Sequence, residues 1–243
     1  MSTLGISIVV PAYNEENFLP ATLASINEAR KYFEATTNLR TEIVVVNNAS
    51  TDQTEKIALA NGAVVVPHPI RNISSVRNAG IRKSLYEVVV TIDADSFLPK
   101  DALVKIWNLM SSNRYVGGAL GVKIISERIS VRIMAFIIQR IVVLISGIYG
   151  AMFFFSREAA LEIGGFPEDR LIAEDTAFAI ALRAYGRKQK KKFARLKSVQ
   201  VGTLDRKEID LRSLLPLILQ MIKGAVGAKQ KKEDLKYWYD PKR

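Results

Sequence analysis

Residues 88–96 read VVVTIDADS. A β-branched run of this kind predicts a buried strand over Val88–Asp93. It ends in two carboxylates, Asp93 and Asp95, and in extended backbone side chains two apart project to the same side. Upstream the same pattern recurs. Ile6–Pro11 is a short β-branched run, and Leu19, Leu23, Ile26 and Phe33 then follow at helical spacing, predicting a helix over roughly residues 16–35. Glu42–Asn47 reads as a second strand, and Ser50 with Gln53 is a capping-box pattern opening a helix that ends near Gly62. Val64–Pro67 is a third strand, and Ser74 or Ser75 caps a helix through Leu85. Downstream of the quoted stretch, Pro99 starts a helix that runs to about Met110.

Strand and helix alternate, and the strands are apolar throughout. That pattern predicts an α/β fold with a mostly parallel sheet flanked by helices on both faces. Ligands of such sheets bind beyond the carboxyl ends of the strands. The polar residues collect there: Tyr13, Asn14 and Glu15 after the first strand, Asn47 and Asn48 after the second, Asp93 and Asp95 after the fourth. No GxGxxG follows the first strand and no GxxxxGK[ST] occurs, which argues against a dinucleotide site or a P-loop. The glycine-rich Gly117–Gly121 reads as a turn.

Composition narrows the chemistry. The chain has 243 residues, no cysteine and one histidine, His68, so disulfides, thiol nucleophiles and a Cys/His zinc site are excluded. Two aspartates at a strand end suit a hard divalent cation, Mg2+ or Mn2+, held through oxygen. An Asp-x-Asp also fits a turn capped by its own side chains. Glu174-Asp175 precedes an apolar helical stretch closed by Gly186. That placement sets Asp175 near a helix N-terminus, where the dipole favours an ionised carboxylate that can act as a base, although an acidic N-cap explains the pair equally well.

The ordered set PAYNEE, VVVNNASTD, SSVRNAG, TIDADS, GAMFFFSREAALEIGGFPE and AEDTAFAIALRAYG resembles the family 2 inverting glycosyltransferases of GT-A fold, over roughly residues 5–186. The resemblance implies that Pro11, Tyr13 and Glu15 line the nucleotide pocket and that Arg77 lies near the base and diphosphate. It implies that Asp95 is the metal ligand, with Asp93 toward the ribose, and that Asp175 is the catalytic base with Glu174 its neighbour. Asn47 stands where the family usually has an aspartate that accepts a hydrogen bond from the base. Both UDP- and GDP-linked donors therefore stay open. The QxxRW motif of processive members is absent, which points to single addition.

The formal charge is +11, and residues 187–243 carry the entire excess, with 17 basic and 6 acidic side chains. The chain therefore divides into a GT-A domain over 1–200 and a basic amphipathic extension over 201–243. Leu214–Val226 has a wide apolar face and lies between basic runs, which fits an interfacial helix at an anionic membrane surface or a helix packed on the core. Tyr237, Trp238 and Tyr239 fit a headgroup boundary or an anchor on the body. Residues 133–155 are strongly apolar, but the uncharged part, Ile141–Phe155, is 15 residues, short of the roughly 20 a spanning helix needs. It reads as a helix followed by a buried strand, AMFFF. The N-terminus reads as a first strand rather than a signal peptide. The expected location is the cytoplasm, with peripheral attachment to the inner face of the cell membrane and a polyprenyl-phosphate or glycolipid acceptor. Two other classes stay open. One is a nucleotidyltransferase, which usually carries a basic glycine-rich loop where this chain has the acidic PAYNEE. The other is a non-catalytic basic binding protein; nothing resembling a nucleic-acid stacking platform or recognition helix accompanies the charge, so no nucleic-acid partner is expected.

Overall fold

The computed structural model describes residues 3–126, 128–129, 133, 136, 152–170 and 173–204. Eight strands form one sheet in the order β3-β2-β1-β4-β7-β6-β8-β5. The strands are β1 (Thr3–Ala12), β2 (Arg40–Asn47), β3 (Val64–Pro67), β4 (Tyr86–Thr91), β5 (Ser96–Phe97), β6 (Tyr115–Ile125), β7 (Phe153–Ser156) and β8 (Lys192–Leu204). The helices are α1 (Leu19–Thr37), α2 (Thr54–Ala60), α3 (Ile73–Lys83), α4 (Ala102–Met110), α5 (Arg157–Glu162) and α6 (Glu174–Lys188).

The first four strands pair in parallel, as the alternation of elements predicts. β7 then pairs antiparallel with both β4 and β6, which makes the sheet mixed. Each strand sends alternate side chains to opposite faces. Ile6, Ile8 and Val10 join Leu23, Ile26 and Phe33 of α1 and Ile106 of α4 in one core layer. Val9, Val44, Val46 and Val89 join Val76 of α3 and Phe178 of α6 in the other. Burial of such side chains contributes roughly 1.5–3 kcal/mol each.

Three local expectations change. Gly117–Gly121 lies inside β6 and is not a turn. A side chain at Gly117 would strike Phe154 O and Phe155, and one at Gly118 the Phe154 ring and Ala194. These glycines therefore admit the buried phenylalanines of β7, which gives them a packing reason inside a strand. α2 starts at Thr54, because Ser50 Oγ is recruited across the molecule to accept Asn14 N–H at 3.1 Å. α3 is capped by Asn72, whose Oδ1 accepts Ser75 N–H at 3.0 Å, while Ser75 Oγ meets His68 Nε2 at 2.8 Å.

The expected AMFFF strand is β7, with Phe153, Phe154 and Phe155 fully buried. β8 carries the described fold to Leu204, past the expected boundary at 200. The basic run Arg187–Lys192 ends α6 and opens β8, where Lys192 pairs beside Tyr115. The other end of β8 meets β5 through Thr203 and Ser96. The basic run thus lies at the end of the sheet away from Asp95. The expected helix ahead of AMFFF, the helix over Leu214–Val226 and the aromatic group Tyr237–Tyr239 fall outside the described residues. Among the described residues no helix is long and apolar enough to cross a membrane.

Candidate active site

Two clusters of expected residues form at the carboxyl ends of the parallel strands. The first comes from the loops after β1 and β2, which are laced together by backbone donors. Glu15 N–H donates to Thr54 Oγ1 at 2.7 Å and Glu16 N–H to Asp52 Oδ2 at 3.1 Å. In return Thr51 N–H donates to Asn14 Oδ1 at 2.8 Å and Gln53 N–H to Glu16 Oε2 at 3.1 Å. Asn14 and Ala49 adopt left-handed backbone, with φ of 52° and 54°. Tyr13 and Glu15 are half-buried in this wall, whereas Pro11 is buried within β1 opposite Val46.

Asn47 is 6% exposed, and both ends of its amide are hydrogen-bonded. Its Oδ1 accepts Ser50 N–H at 3.0 Å and its Nδ2 donates to Glu55 at 2.8 Å. It holds the loop as it stands. Asn48 Nδ2 donates to the carbonyls of His68 and Ile70, at 2.9 and 2.8 Å, and so pins the β3–α3 loop. Arg71 in that loop sits over the Tyr13 ring, 3.9 Å from its centroid. Sequence spacing had not singled out Arg71 or this use of Asn48. The signal available was a second asparagine directly after Asn47.

The second cluster centres on Arg77. β4 ends at Thr91, so Asp93 and Asp95 are not on extended strand as expected. They lie within a turn closed by Ser96 N–H, which donates to Asp93 O at 3.1 Å. Ala94 between them is buried, and its carbonyl accepts from Thr22 Oγ1 at 2.7 Å, which fixes the turn to α1. The two carboxylates flanking this buried alanine stay partly exposed. Arg77, 7% exposed, donates to Glu174 at 2.8 Å and to Asp93 at 3.2 Å. One guanidinium therefore joins the turn after β4 to the first turn of α6. Burial opposes its charge, but Asp93, Glu174 and Asp175 outweigh that and raise its pKa.

Glu174 and Asp175 open α6 as expected, directly after Ala173 at a left-handed φ of 59°. Burial is the main cause pushing the Glu174 carboxyl up to about 7, the Asp175 charge adds to it, and Arg77 opposes. Burial likewise raises Asp175, against the pull of Arg77 and of the Thr176 N–H that Asp175 Oδ1 accepts at 2.6 Å. A carboxylate poised nearer neutrality suits a proton acceptor.

A cavity of about 380 Å³ lined by Tyr86, Glu87, Arg157, Glu158 and Lys191 opens at the start of β4, at the other end of the sheet. It contains none of these groups. Among the described residues no group of three or more His, Cys, Asp or Glu could enclose a metal by itself. Asp93 and Asp95 nonetheless fit a Mg2+ or Mn2+ of the kind held by one or two carboxylates with substrate phosphates supplying the rest.

The architecture is the GT-A fold of nucleotide-sugar enzymes. A mannosyltransferase from Pyrobaculum calidifontis, solved with GDP-Man and Mn2+, superposes with a TM-score of 0.66 at 20% identity, covering 98% of this chain and 68% of that one. Residues 7–164 match the model of glycosyl transferase family 2, and the chain belongs to that family. An uncharacterised glycosyltransferase of Mycobacterium tuberculosis is 34% identical over 101 residues, 42% of this chain and 41% of the relative. A dolichyl-phosphate beta-glucosyltransferase of Mus musculus is 33% identical over 102 residues, 38% of this chain and 32% of the relative. The matches thus span about two fifths or less of these curated relatives.

Proposed function

We propose that this chain is a metal-dependent, inverting glycosyltransferase. It moves a sugar from a UDP- or GDP-linked donor to a lipid-linked or glycan-precursor acceptor at the cytoplasmic membrane face. The observation that carries this reading is the Arg77 bridge, which joins the aspartate turn expected at the donor to the Glu174-Asp175 pair expected at the acceptor. The GDP-Man and Mn2+ of the Pyrobaculum structure and the lipid-phosphate name of the mouse relative support the donor, cation and acceptor classes.

Tyr13 and Glu15 line the nucleotide pocket in this reading, with Pro11 beneath them in β1 and Asn47 shaping the loop. Asp95 and Asp93 would hold the cation, which when bound offsets the charge of the departing diphosphate. Arg77 acts as a positioning residue, since its donors are directed at Asp93 and Glu174. Asp175 takes the proton of an acceptor hydroxyl as that oxygen bonds to the anomeric carbon, and the sugar–diphosphate bond breaks on the opposite face. A single displacement inverts the anomeric configuration. A phosphate acceptor is already ionised, and Asp175 then orients it.

The test is sugar transfer by the full chain from UDP- and GDP-sugars to polyprenyl phosphate and, separately, to a hydroxyl-bearing glycolipid acceptor, with Mn2+ or with EDTA. Asp95→Asn and Asp175→Asn are each expected to remove transfer to a hydroxyl acceptor. Full activity in both variants would overturn the assignment of the site. Loss with Asp95→Asn and survival with Asp175→Asn on a phosphate acceptor marks the ionised-acceptor route.

A further inference from the structure

We propose a second binding site, for a phosphorylated monosaccharide, in the cavity at the amino ends of β4, β6 and β8. It goes beyond the transferase reading and does not depend on it, since the cavity lies at the opposite end of the sheet from Asp93 and Asp95.

Long-range contacts build the walls. The turns that enter β6 and β8 each contain a left-handed residue, Asn113 at a φ of 55° and Lys190 at 57°. They are stapled side by side: Lys192 N–H donates to Arg114 O at 2.9 Å, and Lys191 Nζ donates to Asn113 Oδ1 at 2.6 Å. A third wall comes from α5. Its Arg157 donates Nε to Ile81 O at 3.2 Å and Nη2 to Arg82 O at 3.1 Å, at the end of α3. Tyr86 is the fourth, its ring laid against Gly5, where a Cβ would come within 2.6 Å of Cδ1. The enclosed volume, about 380 Å³, falls within the roughly 300–1,000 Å³ of small-molecule sites.

The lining selects the ligand. Arg157 and Lys191 are half-buried and held by uncharged acceptors, two backbone carbonyls and an amide. Neither forms an ion pair among the described residues, so both keep their charge and have donors to spare. Arg82, Lys83, Arg114, Lys190 and Lys192 are exposed on the segments that lead into the lining. Glu42, which reaches Leu85, is occupied by Ser7 Oγ and the Leu85 N–H, each at 2.6 Å. Such a field draws an anion, and cations of this kind bind phosphate oxygens. Glu87 and Glu158 in the same lining repel a bare anion but accept hydrogen bonds from hydroxyl groups. The half-buried Tyr86 and Tyr115 supply aromatic surface for the apolar side of a sugar ring. A phosphate attached to a hydroxyl-bearing ring uses all three kinds of group.

Calorimetric titration of the full chain in EDTA tests this. The titrants are the anomeric and primary phosphates of glucose, mannose and galactose, the free sugars, and inorganic phosphate. At least one sugar phosphate is expected to bind about tenfold or more tightly than its free sugar and than inorganic phosphate. Lys191→Glu removes that binding and Asp95→Asn leaves it unchanged. Glu158→Gln lowers the preference over inorganic phosphate, because the hydroxyls lose an acceptor and the bare anion loses a repulsion. Inorganic phosphate bound as tightly as every sugar phosphate marks an anion patch without sugar recognition and overturns the proposal. Loss with Asp95→Asn but not with Lys191→Glu places the ligand at the donor site and overturns it too. So does a chain that binds none of the titrants. Phosphatidylglycerol vesicles form the last arm: attachment that Lys191→Glu abolishes, in a chain that binds no soluble sugar phosphate, identifies a membrane contact in place of a sugar site.

Discussion

Arg77 Nη1 donates to Glu174 Oε1 at 2.8 Å, and Nη2 of the same guanidinium donates to Asp93 Oδ1 at 3.2 Å. α3 thus inserts one buried cation between the turn after β4 and the first turn of α6. Removing one partner of a buried pair typically costs about 3–5 kcal/mol, because the other charge stays behind. Arg77→Ala is expected to destabilise by that order, and by less at pH 6 than at pH 8, since Glu174 can take up a proton instead. Urea unfolding at the two pH values measures the difference. Arg77→Lys keeps the charge without the two-pronged geometry and should recover only part of the loss.

The Glu174-Asp175 pair sets an unusual pH dependence. Glu174 titrates near 7 in the fold against an ordinary 4.5. A folded carboxyl with a raised pKa binds its proton more tightly than the unfolded chain does. Its contribution therefore favours the fold at low pH and is lost as pH rises from about 4.5 to about 7, on the order of 3 kcal/mol in all. A salt-bridged acid with a depressed pKa behaves in the opposite sense. Asp175→Asn removes the neighbouring charge, lowers the Glu174 pKa and raises stability above pH 7. The same change is expected to cut transfer to a hydroxyl acceptor by roughly 10²–10⁴-fold. Thermal unfolding from pH 5 to 9 checks the stability half. A profile identical to that of the wild type would show that Asp175 does not hold Glu174 up.

The parts of this architecture that were legible in the sequence depend on short-range periodicity. Apolar runs at Ile6–Pro11 and Glu42–Asn47 placed two parallel strands, because buried strands must be apolar on both faces, and Val64–Pro67 placed a third, which is the edge strand with Val64 and Pro67 exposed. Asp93, Asp95, Glu174 and Asp175 were found as short polar pairs at element ends. What stayed hidden depends on partners far along the chain. Ser50 looked like a helix cap and is instead taken by Asn14, 36 residues away. Gly117 and Gly118 looked like a turn, and only the phenylalanines of β7 explain them. Arg71 carries no local pattern, since its contact with Tyr13 exists only once β1 and the β3–α3 loop meet.

Ala49 offers a test of stored backbone strain. Its φ of 54° is left-handed, in the loop that carries Asn47 and Asn48. Such a conformation costs a residue with a Cβ roughly 1–2 kcal/mol, and glycine adopts it freely. Relief of that strain exceeds the entropy glycine adds to the unfolded chain, roughly 0.4–1 kcal/mol. Ala49→Gly is therefore expected to stabilise by about 1 kcal/mol net, a gain of roughly 2–4 °C in Tm in a chain of this size. Ala49→Val should lower Tm instead. Differential scanning calorimetry of both variants decides the matter, and a destabilised glycine variant would show that the loop gains more from stiffness than it loses to strain.

Asn78 ties the Gly164–Glu168 loop to α3, and the loop in turn supports Arg77. Its Oδ1 accepts Phe166 N–H at 2.7 Å, and its Nδ2 donates to Phe166 O at 2.8 Å and Glu168 Oε1 at 2.9 Å. Phe166 then lies under the Arg77 guanidinium, 5.3 Å from ring centroid to carbon, and stacks on Phe178 of α6 at 4.0 Å. Asn78→Ala leaves the backbone groups of Phe166 without these partners in the interior. A destabilisation of about 2–4 kcal/mol is expected, as each buried unsatisfied group costs roughly 1–3 kcal/mol. Gly165→Ala attacks the same junction from the other side. At a φ of +76° its new Cβ would collide with Asn78 Oδ1, so backbone strain and lost hydrogen bonds arrive together. Both variants are expected to lose transfer beyond what their stability explains, because Arg77 and α6 lose their support. Comparing kcat with KM at a temperature well below each Tm separates the two effects. A fall in kcat with KM for the nucleotide sugar unchanged places the damage at Glu174 and Asp175, whereas unaltered kinetics in a folded variant would detach this loop from the site.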